Sequence, residues 1–551
     1  MLLVAFYFVL SALAAECSAE GTAKDNCEAN HCEMVGGTEI CTQCQTGKVP
    51  IDGQCAGATD SNTKCKNADG VADADQTCGK CLLETFMYKG GCYVTTKAPG
   101  NVMCGDAAAG KCTQVKAGYF LPPGADNAHD SVVSCGDTTG VTLTDNKKYT
   151  GVAGCGKCEQ PGEAQNGTPK AATCTECQAD KYLKTESGTT SCVDEGNCNN
   201  GFFPTTDAQS NNKKVCALCS EADKGGIADC KKCSLKATSA RAGPMVTCSE
   251  CTNNNLSPLK DECMLGCPAG TYANNKVCTL CHESCAGCQT DDKETSCTAC
   301  YPGSVLEHDG DLTTGKCIQE CTGRYAENCE AGQCTAVVGG SKYCSRCKTG
   351  FVPINGMCVS TTARAATECV AGEGVCTSCT GAYFLESGGC YKTGAFPGNT
   401  LCIAAGANGK CANCANGQNA DPQTGACPPC PANCSKCSGD SDVKTCTECY
   451  SGYYLDTGKE CKKCSETSGN IQGVPNCVSC KAPSSPNAPT PVTCYVKTDA
   501  TNNGDNDNNG GSTNKSGLST GAIAGISVAV VVVVGGLVGF LCWWFICRGK
   551  A

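Results

Sequence analysis

The chain has 551 residues, of which 60 are cysteine, 66 glycine and only four histidine, with aromatic residues at 5% and a formal net charge of −11. Acidic and basic residues are scattered, and no basic block interrupts the cysteine-rich region, which argues against a nucleic-acid partner. Aromatics this sparse cannot fill several ordinary cores, so cysteine at this density predicts an exported disulfide scaffold, each bridge contributing on the order of 2–4 kcal/mol by restricting the unfolded chain.

Residues 1–15, MLLVAFYFVLSALAA, form a short apolar run closing in small residues, the pattern of a secretory signal peptide cleaved after Ala14 or Ala15. Export makes disulfides chemically available. All cysteines but Cys542 and Cys547 fall between residues 17 and 494, leaving 58, an even number compatible with full pairing.

Residues 16–265 read as N-terminal cysteine-rich modules. Within them CTQCQTGKVPIDGQC, beginning at the Cys41/Cys44 pair, shows a recurring theme: a CxxC pair, a glycine, one or two aromatic or aliphatic residues, a turn and a further cysteine. Short β-prone runs bounded by Gly, Asp and Asn predict hairpins. Cys278, Cys281, Cys285, Cys288, Cys297 and Cys300 then mark a furin-like or growth-factor-receptor-like module at 266–325. Their spacing returns unchanged at Cys427, Cys430, Cys434, Cys437, Cys446 and Cys449.

A second duplication joins residues 24–55 to 326–358, and GGCYVTTKAPGNVMC at 90–104 to GGCYKTGAFPGNTLC at 388–402. Residues 326–498 are thus membrane-proximal modules that repeat 24–104 and 278–300. The fold class expected is an extended array of small disulfide-rich modules in tandem, built from two-stranded hairpins and loops with little helix. Aromatics such as Phe384 and Tyr453 are expected to cover neighbouring disulfides in place of a core.

Eighteen CxxC pairs lie in this region, and three chemistries compete for them. Structural disulfides would bond the two members of a pair to different partners, because a bridge across two residues closes a tight ring. Zinc would take four thiolates from two pairs, and redox catalysis would need one exposed thiolate of low pKa. An oxidising compartment favours disulfides, with zinc as the minority reading and no other cofactor. His31, His129, His282 and His308 are isolated from any catalytic motif, so no enzyme is expected. Asp505, Asp507, Asn509 and Gly510 imitate half an EF-hand loop, but Ser516 occupies its twelfth position. Asn166 and Asn514 are the better N-glycosylation acceptors; Asn255 and Asn433 are poorer ones.

Residues 499–520 are rich in Asn, Gly, Asp and Ser and read as a polar stalk. Residues 521–547 follow without a charge, enough for a helix of about 40 Å across a roughly 30 Å hydrocarbon layer. Trp543 and Trp544 suit the interface, and Arg548 and Lys550 in the tail 548–551 keep it cytoplasmic. A type I plasma-membrane protein with an extracellular N-terminal region results. Those terminal charges also argue against a removed lipid-anchor signal. Cys547, at the boundary, is a candidate for S-palmitoylation, whereas Cys542 packs as a small apolar residue.

The CxxC pairs, the tetrapeptides Gly90-Gly91-Cys92-Tyr93 and Gly388-Gly389-Cys390-Tyr391, the Val/Gly-rich span and the ending Cys547-Arg548-Gly549-Lys550-Ala551 together resemble the giardial variant-specific surface proteins. The resemblance covers the whole chain. It implies a non-catalytic coat antigen of an intestinal flagellate, exchanged for other family members so that host antibodies lose their target, and shielding the cell from proteases. It also implies acylation of the tail cysteine and keeps zinc at CxxC pairs in view. The alternative is an adhesive receptor for host glycans or proteins. Oligomerisation is left open.

Overall fold

The computed structural model describes residue 17 and residues 22–236, 244–308, 313–362, 367–439, 443–484 and 486–498. The predicted leader 1–15, stalk 499–520, span 521–547 and tail 548–551 lie outside the described residues, as do Cys542, Cys547 and Asn514. Among the described residues no helix is long and apolar enough to cross a membrane.

Regular structure there consists of strands of two to six residues, isolated 3-10 turns and a single α-helical turn, Gly100–Met103. The strands are short because residues that tolerate a left-handed backbone interrupt them. Lys48–Ile51 turns into Gln54–Gly57 through Asp52 (φ 53°) and Gly53 (φ 81°), the two left-handed positions that match the twist of paired strands. Asn355 and Gly356 make the same turn in the second copy of this segment.

Several units are larger than the two-stranded ribbons expected from sequence. Hairpin Lys48–Ile51/Gln54–Gly57 joins hairpin Thr85–Tyr88/Gly91–Val94 into a four-stranded sheet, its inner strands parallel with Ile51 opposite Cys92. The duplicate does the same with Phe351–Ile354/Met357–Ser360 and Tyr383–Glu386/Gly389–Lys392, Ile354 lying opposite Cys390. Parallel pairing between hairpins distant in sequence leaves no local pattern, which is why composition points only to ribbons.

Burial is divided among small clusters that mix apolar side chains with cystines. Val35, Ile40, Phe86, Tyr88, Tyr93 and Met103 pack with Cys104 and Cys112. Val338, Tyr343, Phe384 and Tyr391 pack with Cys402, Cys411 and Cys414. Tyr453 flanks the cluster of Cys434, Cys437, Cys446 and Cys461. The Tyr343 and Tyr391 rings meet edge to face at 6.2 Å, a favoured aromatic geometry.

The array is not the simple extended run expected. Glu262 accepts a hydrogen bond from Tyr495 Oη at 3.1 Å and pairs with Lys481 Nζ at 2.6 Å, although more than 200 residues separate them in sequence. Phe396 is buried with Leu306 and Cys317 of the 266–325 module. Apolar contact and a charge pair therefore fold the C-terminal described modules back on the middle of the array.

Candidate functional site: the disulfide ladder

All 58 cysteines between Cys17 and Cys494 are joined in disulfides, and their sequence separations run only from 7 to 23 residues. Each bridge closes a loop inside its own module or onto the adjoining one. In every CxxC pair the two cysteines take different partners. Cys41 is bonded to Cys27 and Cys44 to Cys55. Cys278 is bonded to Cys267, Cys281 to Cys288, Cys285 to Cys297 and Cys300 to Cys317. The duplicate gives Cys427 to Cys414, Cys430 to Cys437, Cys434 to Cys446 and Cys449 to Cys461, the same pattern.

A strand-level reason underlies this pattern. Where two CxxC segments pair as antiparallel strands, as in Cys434–Ser438 with Thr445–Cys449, Cys434 stands opposite Cys449 and Cys437 opposite Cys446. The bond formed is the diagonal one, Cys434 to Cys446, so Cys437 is tied upstream and Cys449 downstream. The ladder propagates because each rung leaves one cysteine for the previous loop and one for the next.

The GGCY tetrapeptides have an internal logic. Gly90 (φ 76°) follows Lys89 (φ 43°) in a tight hairpin turn, and Gly388 (φ 80°) follows Ser387 (φ 45°) in the same one. Gly91 is needed for a close approach, since a Cβ there would lie 3.0 Å from Tyr93 Oη and 3.1 Å from Pro50 Cβ. At Gly389 a Cβ would lie 3.1 Å from Pro353 Cβ and 3.2 Å from Tyr391 Cε2. Cys92 and Cys390 are bonded to Cys81 and Cys379. Tyr93 and Tyr391 are fully buried, and among the described residues neither hydroxyl has a hydrogen-bond partner. Burial raises both phenols well above their usual range.

Several groups of cysteines bring three sulfurs within 4.8 Å of one another, among them Cys41, Cys44 and Cys55, and Cys155, Cys174 and Cys192. Every sulfur in these two groups is half of a cystine. Zinc takes thiolates, so the donor set does not fit that metal in this oxidation state. Three of the four histidine rings serve their own loops: His129 Nδ1 lies 2.9 Å from Asp126, His282 Nδ1 2.8 Å from Ser284 Oγ, and His308 Nδ1 3.0 Å from the Thr314 carbonyl oxygen. Asn166 is exposed.

One charged cluster escaped the sequence reading. Lys89 Nζ reaches Glu33 at 2.9 Å and Asp137 at 3.4 Å. Beside it, burial pushes the Asp130 carboxyl up to about 6; the Lys89 amide and ammonium oppose the rise, and the Asp137 and Glu33 carboxylates add to it. Residues 33, 89, 130 and 137 are too far apart in sequence to signal their meeting.

Tandem hairpins stapled by local bridges define a cysteine-rich protein built of repeated disulfide-held modules. More narrowly, the chain belongs to the Giardia variant-specific surface protein family, which it matches over residues 11–209, 197–421 and 404–551. It is 31% identical to major surface-labeled trophozoite antigen 417 of Giardia intestinalis over 94% of this chain and 95% of that antigen. A variant-specific surface protein of the same organism is 30% identical over the full length of both. A shorter stretch, 32% of this chain, is 28% identical to 7% of mouse proprotein convertase subtilisin/kexin type 5. No solved structure matches the chain. The protein is a cell-surface antigen of this family, and its full-length relatives are surface antigens rather than enzymes.

Proposed function

We propose that the protein is a type I coat antigen whose bridged ectodomain shields the cell from proteases and presents a surface that host antibodies meet and family exchange replaces. The observation that carries this reading is the unbroken set of local bridges from Cys17 to Cys494. A protease must draw flexible chain into its cleft, and flexible chain is what closely spaced bridges remove. A nick inside a bridged loop, such as the one closed by Cys44 and Cys55, also leaves the fragments joined. Residues 1–15 act as the leader, 499–520 as the stalk, 521–547 as the single span and 548–551 as the cytoplasmic end, with Cys547 the acylated position and Asn166 and Asn514 the glycan acceptors.

Limited trypsin digestion of the full-length protein, intact and after reduction and alkylation, tests the shielding role. The reduced chain is expected to be cut at least on the order of 100-fold faster, because each lost bridge removes about 2–4 kcal/mol that keeps the openable population small. Equal rates would overturn the reading.

A further inference from the structure

Beyond joining loops, the ladder places successive bridges against each other. Cys174 Sγ lies 3.5 Å from Cys192 Sγ, although Cys174 is bonded to Cys155 and Cys192 to Cys177. The complementary pair is also poised, because Cys155 stands directly opposite Cys177 across the antiparallel strands Cys155–Glu159 and Thr173–Cys177. Directly opposed residues have Cα atoms about 4.5–5.5 Å apart, inside the roughly 4.4–6.8 Å span of a disulfide. The four cysteines can therefore be joined in two ways with the strand pairing kept.

The same juxtaposition recurs. Cys41 and Cys55 sulfurs are 3.5 Å apart, and Cys27 pairs with Cys44 as an isolated bridge. In the duplicate, Cys344 and Cys358 are 3.5 Å apart and Cys329 pairs with Cys347. Cys248 and Cys263 are 4.0 Å apart with Cys230 opposite Cys251. Cys446 and Cys461 are 3.3 Å apart with Cys434 opposite Cys449. Repetition in five modules sets this apart from chance crowding of sulfur in a cysteine-rich chain.

We propose that these units are sites of thiol-catalysed disulfide isomerisation, each exchanging a diagonal-plus-downstream pair of bridges for a crossed pair. In the 155–192 unit both residues of the Cys177–Cys192 bridge are only partly buried, which leaves this bridge the more open to a small external thiol. The thiolate attacks Cys177 Sγ, forms a mixed disulfide there and releases Cys192 as thiolate. Cys192 attacks Cys174, making the Cys174–Cys192 bond and releasing Cys155. Cys155 then attacks Cys177, making the Cys155–Cys177 bond and returning the external thiolate. Two bonds are exchanged for two, nothing is oxidised or reduced overall, and the thiol is a catalyst. The crossed isomer ties Cys174 rather than Cys177 to the downstream strand, so it alters how the hairpin loops are held without loosening the module.

The test incubates the native full-length chain with a substoichiometric amount of reduced glutathione at neutral pH. Acid quenching, alkylation, digestion without reduction and mass spectrometry of linked peptides follow. Cys155–Cys177 and Cys174–Cys192 linkages are expected to appear together, with free thiol never exceeding the glutathione added. A sample exchanged in denaturant supplies the unrestricted linkage pattern. The proposal is overturned if only the starting linkages are recovered, if bridges open without crossed products, or if the native sample scrambles as broadly as the denatured one.

Discussion

The two copies of the longest repeat, residues 27–112 and 329–411, share covalent and turn chemistry and differ in their charges. Bridges 27–41, 44–55, 65–78, 81–92 and 104–112 correspond to 329–344, 347–358, 369–376, 379–390 and 402–411. One bridged loop shortens from a separation of 13 to 7 while its bridge is retained. Asp52 Oδ1 accepts from the Val94 amide at 2.8 Å, and Asn355 Oδ1 from the Lys392 amide at 2.9 Å, so either side chain fills the role. Glu33 and Lys89, which form an ion pair, are replaced by Thr335 and Ser387. Thr335 Oγ1 instead meets Ser345 Oγ at 2.7 Å. The lesson is that bridges, turn glycines and the buried tyrosine specify the module, while its polar rim is free to change, as a coat antigen requires.

Breaking a bridge should produce the largest effect. Replacing both Cys81 and Cys92 by Ser, or both Cys379 and Cys390, is expected to lower the stability of the altered copy by about 2–5 kcal/mol. The other copy should keep its protection in native-state hydrogen exchange, since no bridge joins them. Equal loss in both copies would show that the modules fold as one unit. Gly91→Ala and Gly389→Ala should each cost about 1–3 kcal/mol by the same measurement, because the Cβ presses the facing proline and the tyrosine ring.

A pH effect should separate the copies. The Asp130 pKa of about 6 is above its ordinary value, so the folded form binds the proton more tightly than the unfolded chain. Its stabilising contribution is full below about pH 4 and is lost as pH rises through 6. Asp130→Asn should remove about 1–2 kcal/mol of that slope, allowing for the solvent that still reaches the group, as read from denaturation curves of both proteins at pH 4 and 7. An unchanged slope would rule the assignment out. The smallest effect is expected for Tyr93→Phe and Tyr391→Phe, which delete unpartnered buried hydroxyls and should leave each copy unchanged or up to about 1 kcal/mol more stable. A loss in one copy alone would reveal a partner for that hydroxyl.

Much of the module was legible in the chain because its signals are local. Asp52-Gly53 and Asn355-Gly356 announce their hairpins, and Gly90 and Gly388 mark the turn before the buried tyrosine. The charged cluster at Lys89 and the contact of Glu262 with Lys481 and Tyr495 were not legible, since each depends on loops brought together from distant stretches.

Sequence by itself determined that the chain is an array of repeated, disulfide-held hairpins, because cysteine count, glycine placement and repeat spacing act through near neighbours. Only the tertiary structure decided which cysteine meets which, how hairpins merge into parallel-centred sheets, and where the array folds back. Those outcomes depend on strand register: a one-residue slip turns every side chain to the other face, and would offer each cysteine a different partner.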